Sequence, residues 1–580
     1  MDENESARLA AALDLPPEIA TLLLRRGRRE LGEIEAFLNP SLSLLPPATL
    51  LKGMEEATAI LEKCVKEKRP VGIYGDYDVD GITGSAVLYL FLKEIGLEVS
   101  CYQPDRLREG YGLHEHGIRQ LHAENLRNRG EAGVLLSVDC GISGHDAVVV
   151  ARQLGFTVII TDHHRPPDLL PPADAIINPM QPGCLFPDKN LAGVGVAFYL
   201  IMGLRSRLFR HGFWPAEAPP NLKNYLDLVA LGTVADQVEL TGVNRILVKA
   251  GLQVMNEKMA AHALRPGVRQ LIKTARTGGR EMSVEDFAFR LAPRINAAGR
   301  IGKPDAAMRL LISNDSGEGE RLAAELEEAN RLRRELEQQL LAATLEQAEQ
   351  DVRDGRRTLV LAGDNWHSGV IGIVATRLME RFFRPTVLVS FSDDIGTGSA
   401  RSIPGLHLYE TLEGMHDVLE RYGGHEMAAG MTVRRENFQK FRERFEARAI
   451  DRLDPEDLAP KLLYDHSIAM TRLADSLFLR YYERLSPFGT GNPEPLFLCR
   501  GVRLTQPRLV GGTHLRCRMG QGDVSMAGIG FGLGHLLDNG GLPHHEVDVA
   551  VRLRVNEYWS SKEWELNLVD IRETAVGGGQ

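Results

Sequence analysis

The sequence predicts an α/β protein in which a doubly wound parallel sheet is followed by a long connecting helix, a smaller α/β domain and a C-terminal all-β barrel. Short apolar runs such as 71–74 and 134–138 alternate with helical patterns such as 85–92, as is typical of βαβ units. Several of these runs end in aspartate or histidine, which is expected where ligands bind at the carboxyl ends of parallel strands. Short strand-like runs separated by glycine turns after Pro495 predict the barrel.

At 580 residues the chain is too long for a single hydrophobic core. Five segments are expected. Residues 1–45 form a leucine-rich helical lead-in, 46–312 contain the parallel sheet, and 313–357 repeat leucine at helical spacing. Residues 358–450 begin with a strand, a helix and a second strand, and residues 451–580 contain the barrel.

The composition is that of an ordinary globular protein, with 43% hydrophobic and 25% charged residues. There is no apolar run of about twenty residues, so no membrane span is expected. The acidic N-terminus lacks the layout of a secretory signal. The six cysteines show neither close pairing nor zinc-type spacing. These features together predict a cytoplasmic protein.

The net charge of −10 argues mildly against a nucleic-acid partner, because phosphate neutralisation requires lysine and arginine. Local clustering could still provide a basic channel on an acidic body. Solvated, unclustered arginines are an equally good interpretation. The candidates for such a channel are Arg290, Arg294, Arg300, Arg377, Arg381, Arg384 and Arg401.

Three acidic residues, Asp76, Asp78 and Asp80, follow the strand-like run 71–74. In an extended chain, residues two apart project to the same side. Carboxylates held this close require cations, and oxygen ligands suit Mg²⁺ or Mn²⁺. Taken alone, this motif is more often a solvated turn. A calcium-binding EF-hand is excluded because an apolar residue stands at the last loop position, where a bidentate acid is needed.

Other strand ends supply further metal-ligand residue types. Asp139 follows a second strand-like run, and Asp162, His163 and His164 follow a third. Asp236 ends an apolar run that could equally be a helix. Each residue alone is more simply a polar group at a strand end, but four such junctions together indicate a divalent-metal phosphoesterase. An imidazole in the ligand set favours Mn²⁺ over Mg²⁺.

These motifs resemble the DHH phosphoesterase family, named for its Asp-His-His triplet, and within it the exonucleases specific for single-stranded DNA. The resemblance spans nearly the whole chain, because further motifs follow in order at 290–300, 398–405, 423–430 and 487–495. It implies that the parallel sheet is the DHH domain, that the second α/β domain is a substrate-clamping DHHA1 domain, and that the barrel is an OB-fold.

The resemblance also implies a metal-dependent 5′-to-3′ exonuclease that degrades single-stranded DNA to mononucleotides in recombination and repair. One or two Mn²⁺ or Mg²⁺ ions are the expected cofactors, which would lower the pKa of a water facing the scissile phosphate. The expected metal ligands are Asp78, Asp80, Asp139, His163 and Asp236, with Asp76 and Asp162 as supporting acids. The expected substrate contacts are His164, Arg300, Ser399, Arg401, Gly423, Gly424 and His425.

The barrel is expected to bind single strands by stacking bases on Tyr558, Trp559 and Trp564. Core packing is the alternative for each of these aromatics. Single-strand binding protein and a RecQ-type helicase are partners implied only by the resemblance. A monomer is the expected oligomeric state.

Two other functions stay open. A DHH phosphodiesterase acting on oligoribonucleotides or cyclic dinucleotides is the first, although such proteins are generally shorter and lack the terminal barrel. A catalytically inactive replication scaffold is the second. The retention of every acidic residue and histidine of the expected site counts against it.

Overall fold

The first sheet has five parallel strands in the order β2-β1-β3-β4-β5. The computed structural model describes residues 3–214, 218–277, 279–537, 542–543, 545–556 and 563–573. The strands of this sheet are β1 (Val71–Gly75), β2 (Val99–Tyr102), β3 (Val134–Val138), β4 (Thr157–Thr161) and β5 (Ala175–Ile177).

Alternate side chains of this sheet enter two different hydrophobic cores. Ile73 and Leu136 belong to one core, whereas Tyr74 and Leu135 belong to the core on the opposite face. Because both faces of the sheet are buried, its strands are mainly apolar along their length and do not alternate between apolar and polar residues. The predicted doubly wound parallel sheet is confirmed.

Helices cover both faces of the sheet and extend the region beyond it. The helices up to residue 312 are α1 (Glu3–Leu13), α2 (Pro17–Arg25), α3 (Leu31–Leu38), α4 (Met54–Glu67), α5 (Val79–Glu94), α6 (Glu115–Arg129), α7 (His145–Gln153), α8 (Gly193–Arg210), α9 (Leu226–Ala235), α10 (Gly242–Ala260), α11 (Pro266–Thr274), α12 (Val284–Asp286), α13 (Ala292–Arg300) and α14 (Pro304–Ile312). The long connecting helix, α15 (Ser316–Arg353), is also confirmed; the Asp315 side chain caps it by accepting from the Glu318 N–H.

The second α/β region contains a mixed sheet. Its elements are β6 (Leu359–Asp364), α16 (Ser368–Phe382), β7 (Thr386–Ser392), β8 (Ile395–Arg401), α17 (Leu408–Glu413), β9 (Arg421–Gly424), β10 (Ala428–Arg434) and α18 (Arg435–Arg452). The strand order is β6-β7-β8-β10-β9. Only β6 and β7 are parallel, and the other pairs are antiparallel. The sequence analysis identified β6, α16 and β7 but not the three glycine-containing strands.

The C-terminal region is a closed five-stranded barrel, as expected for an OB-fold. Closure follows from the pairing of β12 with both β13 and β15. Its core includes leucines of α2, so the N-terminal helices pack against the barrel. The elements are β11 (His466–Ser467), α19 (Met470–Leu473), α20 (Ser476–Leu485), β12 (Phe497–Val510), β13 (His514–Gln521), β14 (Val524–Gly530), β15 (Val547–Asn556) and β16 (Glu563–Glu573).

Of the aromatics expected to stack bases, Trp564 packs edge-on against Tyr482, with ring centroids 5.8 Å apart. Trp564 therefore contributes to packing within the C-terminal region, which is the alternative role considered for it. Tyr558 and Trp559 lie outside the described residues. Within the described ranges, no helix combines the length and the apolar character that a membrane crossing requires.

Candidate active site

The loop after β1 delivers three carboxylates to the edge of the sheet. Asp78 is the N-cap of α5, and its Oδ1 accepts hydrogen bonds from the N–H groups of Asp80 and Gly81 at 2.9 and 3.1 Å. Asp80 lies in the first turn of α5. The expectation that Asp76, Asp78 and Asp80 share one side of an extended chain is therefore wrong, because the helix begins between them.

Asp80 is held by the beginning of a second helix. It is 1% exposed, and its two carboxylate oxygens accept from the N–H groups of Gly193 and Val194, both at 2.7 Å. Free N–H groups at a helix N-terminus favour an anion. Residue 193 must be glycine, since a Cβ there would lie 2.8 Å from Asp139 Cβ. The sequence analysis did not identify this helix start.

Asp162 organises the loop after β4. Its Oδ1 accepts from the N–H groups of His163 and His164 at 2.8 and 3.1 Å and lies 2.8 Å from His164 Nδ1. Its Oδ2 accepts from the Ile142 N–H at 2.9 Å. These contacts agree with the expectation of a supporting acid. His164 Nδ1 is also 2.9 Å from the hydroxyl of Tyr111, a residue that the sequence analysis missed.

His163 stands at the centre of three carboxylates. Its Nε2 lies 3.0 Å from Asp139 Oδ1, 3.6 Å from Asp236 Oδ2 and 3.8 Å from Asp80 Oδ2. Asp236 follows the last residue of α9, so the ambiguous apolar run before it is a helix and not a strand. Only three of the four junctions are therefore strand ends.

Four side-chain atoms of the candidate site are buried without hydrogen-bond partners. Among the described residues, Asp76 Oδ1, Asp139 Oδ1, His163 Nε2 and Asp236 Oδ2 are buried and satisfied by no hydrogen bond. Buried polar atoms in this state are rare and costly. Divalent cations bound at these overlapping groups would satisfy them, so the donor set fits a metal that accepts oxygen and imidazole ligands.

Burial and mutual repulsion perturb the protonation of these groups. Burial, and then the nearby charges of the other carboxylates, raises the pKa values of Asp76, Asp80 and Asp139 well above the ordinary range. Burial, and then the charge of Asp78, raises the pKa of Asp236 to about 7. Burial, and then the charge of His164, lowers the pKa of His163 to about 4. Such shifts are typical of functional sites.

The side chains offer three overlapping sets of potential ligands, and within each set the atoms lie within 4.8 Å of one another. Asp139 and His163 each belong to two of the sets, so either could bridge two ions. The sets place Asp76 and His164, which the sequence analysis assigned to other roles, at ligand distance too. The sets are Asp139–His163–His164, Asp80–His163–Asp236 and Asp76–Asp78–Asp139.

A cluster of arginines lies beside the carboxylates. Arg300 Nη1 donates to Gly369 O at 3.0 Å, and Arg401 Nη1 donates to Ser399 Oγ at 3.1 Å. The guanidinium of Arg106 lies 5.0 Å from the centre of the Tyr77 ring. Burial, and then the positive charge of Arg106, lowers the pKa of Arg401 and brings the pKa of Arg300 to about 10. Cations held this close together favour an anionic ligand.

The other five arginines proposed for a basic channel have partners within the protein. Arg384 donates to backbone carbonyls. Four others form ion pairs, which are Arg290–Asp286, Arg294–Glu327, Arg377–Glu337 and Arg381–Glu349. The cluster at the site instead includes Arg106, which the sequence analysis missed because no motif marks it.

Strands β8, β10 and β9 align the remaining expected substrate contacts. Gly430 pairs with Ser399 on one side and with Gly423 on the other. A Cβ at Gly424 would lie 2.4 Å from Ala428 O, so glycine is required there. The exposed His425 donates its backbone N–H to Ala428 O at 2.8 Å, and the role of its side chain stays a prediction.

Comparison with known proteins identifies all three regions. The model of the DHH family, N-terminal domain, matches residues 70–233, that of the DHHA1 domain matches 355–451, and that of the RecJ OB domain matches 464–570. The single-stranded-DNA-specific exonuclease RecJ of Salmonella typhimurium is 37% identical, covering 98% of this chain and 98% of the relative. The Escherichia coli RecJ is 38% identical, covering 98% of this chain and 97% of the relative.

Two solved structures share the fold. The crystal structure of Thermus thermophilus RecJ in complex with Mn²⁺ has a TM-score of 0.81 at 33% identity, covering 99% of this chain and 78% of that one. The corresponding complex with Mg²⁺ has a TM-score of 0.75 at 32% identity, covering 99% and 77%. With similarity over nearly its whole length to several such proteins, the chain belongs to the RecJ family of DHH phosphoesterases.

Proposed function

We propose that this chain is a metal-dependent exonuclease that degrades single-stranded DNA from the 5′ end to mononucleotides in recombination and repair. One observation carries the proposal. Buried atoms of Asp139, His163 and Asp236 lie together without hydrogen-bond partners, and the nearby Asp76 interacts electrostatically with Arg106 of the arginine cluster. This arrangement suits a divalent cation that meets a phosphodiester.

The proposed metal ligands are those the sequence suggested, and the fit of the donor set supports them. When bound, Mn²⁺ or Mg²⁺ would neutralise the carboxylates and supply Lewis-acid activation of water and phosphate. The protein's own contribution is to fix the ligands before the metal arrives. The α8 N-terminus holds Asp80, and Asp162 fixes the two histidines. The proposed ligands are Asp78, Asp80, Asp139, His163 and Asp236.

The substrate phosphates are proposed to contact Arg300 and Arg401, with Arg106 as a third cation. A planar guanidinium can donate two parallel hydrogen bonds to a phosphate. Ser399 lies beside Arg401 on β8 and supplies a hydroxyl. Glycines 423 and 424 would allow the DNA backbone to approach β9 closely. His164 and His425 complete the proposed contacts.

The cellular location, the partners and the oligomeric state are also proposals. Six cysteines without a disulfide suit the reducing cytoplasm. Single-strand binding protein and a RecQ-type helicase are the proposed partners, and a monomer is the proposed state. The terminal barrel and the complete ligand set favour the exonuclease over the small-substrate phosphodiesterase and over the inactive scaffold.

The test is Mn²⁺-dependent digestion of single-stranded DNA labelled at one end or the other. Duplex DNA, RNA and a cyclic dinucleotide serve as competing substrates, and Asp80→Ala is the inactive variant. Mononucleotide release from the 5′ end, absent in Asp80→Ala, is expected. Nuclease activity retained in that variant would contradict the ligand assignment, and turnover of only the cyclic dinucleotide would contradict the substrate.

A further inference from the structure

The buried amide of Asn244 lies behind the candidate metal ligands. Asn244 lies in the first turn of α10, is 0% exposed and carries no charge. Its Nδ2 donates to the carbonyls of Asn190 and Glu239 at 2.6 and 3.1 Å, and its Oδ1 accepts from the Ala192 N–H at 3.3 Å. The Asn244 amide therefore makes all three of its hydrogen bonds to backbone groups, and these groups belong to two separate segments of the chain.

The first of these segments holds two of the proposed metal ligands. Gly193 and Val194 donate their N–H groups to Asp80, and the backbone of Leu191 lies next to His163. Residues 190 and 192, which Asn244 contacts, flank Leu191 and immediately precede that helix start. The position of the Asn244 amide therefore sets where this backbone lies.

The second segment carries a third ligand. Glu239 is three residues after Asp236, and the chain turns sharply between them because Gln237 adopts a left-handed backbone with φ of 62°. Leu240 then donates its N–H to Thr490 O at 2.8 Å. Asn244 thus ties the Asp236 segment to the segment behind Asp80 and His163.

The motif 487–495, to which no function was assigned, supports this arrangement from behind. A Cβ at Gly489 would lie 2.7 Å from Leu240 Cδ1, and one at Gly491 would lie 2.9 Å from Glu239 Cβ, so the motif packs closely on the Asp236 segment. Next to Asn244, Arg245 donates to the carbonyls of Ser486 and Pro487 at 2.9 and 3.1 Å. The first turn of α10 therefore joins the metal-ligand segments to this motif.

We propose that Asn244 is a positioning residue of the metal centre, which fixes the distance of Asp236 from Asp80 and His163 and thereby sets metal affinity. The proposal rests on the proposed function, since it takes those three side chains as metal ligands. Residues that orient ligands from behind typically change metal affinity or activity by 10- to 100-fold when removed. Because Asn244 acts through backbone, we expect the lower end of that range.

The experiment measures Mn²⁺ binding by isothermal titration calorimetry on the full chain, without substrate. Asn244→Ala is expected to bind Mn²⁺ about tenfold more weakly than the original protein. Asn256→Ala is the matched control. Asn256 lies on the same helix and makes the same kind of backbone hydrogen bonds, to Met282 at 3.1 and 2.7 Å, but contacts neither metal-ligand segment. It is expected to lose a comparable amount of thermal stability while retaining Mn²⁺ affinity.

If Asn244→Ala fails to fold, Asn244→Ser, which keeps one hydrogen-bond donor, replaces it. The Mn²⁺ affinity of Asn244→Ser is expected to lie between those of the original protein and Asn244→Ala. Unchanged Mn²⁺ affinity in a folded Asn244 variant would overturn the proposal, as would equal weakening in Asn256→Ala. In either case the nuclease assignment would stand. Absence of Mn²⁺ binding by the original protein would instead overturn the proposed metal centre itself, and the role of Asn244 with it.

Discussion

Two aspartates on the single helix α9 have opposite surroundings. Asp227, in its first turn, is 0% exposed. Its Oδ2 lies 2.9 Å from Lys258 Nζ and 3.1 Å from Arg265 Nη1. Asp236, just past the other end, faces carboxylates and has a buried Oδ2 without a hydrogen-bond partner. The protein thus pairs Asp227 with two fixed cations, whereas Asp236 has no lysine or arginine partner among the ion pairs of the described residues.

This difference indicates which property distinguishes a structural carboxylate from a proposed metal ligand. Both groups are largely buried, and a buried charge is tolerated only when it is paired or coordinates a metal. Asp227 has its two cations fixed in place. Asp236 lies beside the like charges of Asp78 and Asp80, with histidines as its nearest possible cations, so a bound metal is the partner that its position suits. The charge of the neighbours separates the two roles, whereas burial does not.

The strongest test of this comparison is Asp236→Asn, which keeps the shape of the side chain and removes its charge. Nuclease activity at saturating DNA is expected to fall about 10³-fold, at the upper end of what one electrostatic contact contributes to a catalytic step. Thermal stability without metal is expected to stay equal or rise, because a repelled charge has been removed. Mn²⁺-dependent DNA digestion and a metal-free thermal scan measure the two effects.

A variant that keeps activity within a few-fold would remove Asp236 from the metal centre. A variant that loses stability as well as activity would place Asp236 with the structural carboxylates instead. Either result would break the contrast between the two ends of α9.

Asp227→Asn is the opposite substitution on the same helix. Removing one partner from a buried ion pair leaves the other charge uncompensated, and this costs about 3 kcal/mol at the lower end of the usual range. The lower end is expected because the side chains of Lys258 and Arg265 are 17% and 14% exposed and can reach water. Urea unfolding measures the loss.

At a temperature where Asp227→Asn is folded, its Mn²⁺ affinity is expected to match that of the original protein. Weaker Mn²⁺ binding by folded Asp227→Asn would mean that a change at the first turn of α9 alters the position of Asp236 at its other end. The comparison would then no longer separate a stability role from a metal-binding role.

Much of the fold and most of the proposed ligand set could be predicted because local signals carry them. An apolar run followed by Asp139 or by Asp162 marks a buried strand and the site at its end. The helix before Asp236 was ambiguous, since an apolar run of that length fits either structure. Strands β8 and β10 were missed because they contain glycine and small residues, which are depleted in strands.

The missed functional residues share a different cause. Arg106, Tyr111 and Asn244 have no distinctive sequence neighbours and gain their meaning only from residues far away in the chain. Tyr111 meets His164, which is 53 residues distant, and Asn244 meets Asn190, which is 54 residues distant. No periodicity or motif encodes such contacts, so only the folded arrangement identifies them.

The smallest expected effect concerns pH and separates the two aspartates without changing the fold. In the metal-free protein the pKa of Asp236 is about 7, above the value of about 3.9 expected in the unfolded chain. The folded state therefore binds more protons between these values, and its stability falls as pH rises from about 4 to 7. Relative to Asp236→Asn, the original protein is expected to lose roughly 2–4 °C of melting temperature between pH 5 and pH 8.

Saturating Mn²⁺ should remove this loss, because the metal competes with the protons for the same oxygens and its affinity rises as they leave. Asp227→Asn retains Asp236 and should therefore show the same pH-dependent loss and the same recovery with Mn²⁺. Melting temperatures at pH 5 and pH 8, with and without Mn²⁺, give the four values needed for each protein. A loss that Asp236→Asn shares would show that the pH dependence arises from groups other than Asp236. A loss that Mn²⁺ leaves unchanged would show that it arises outside the metal centre.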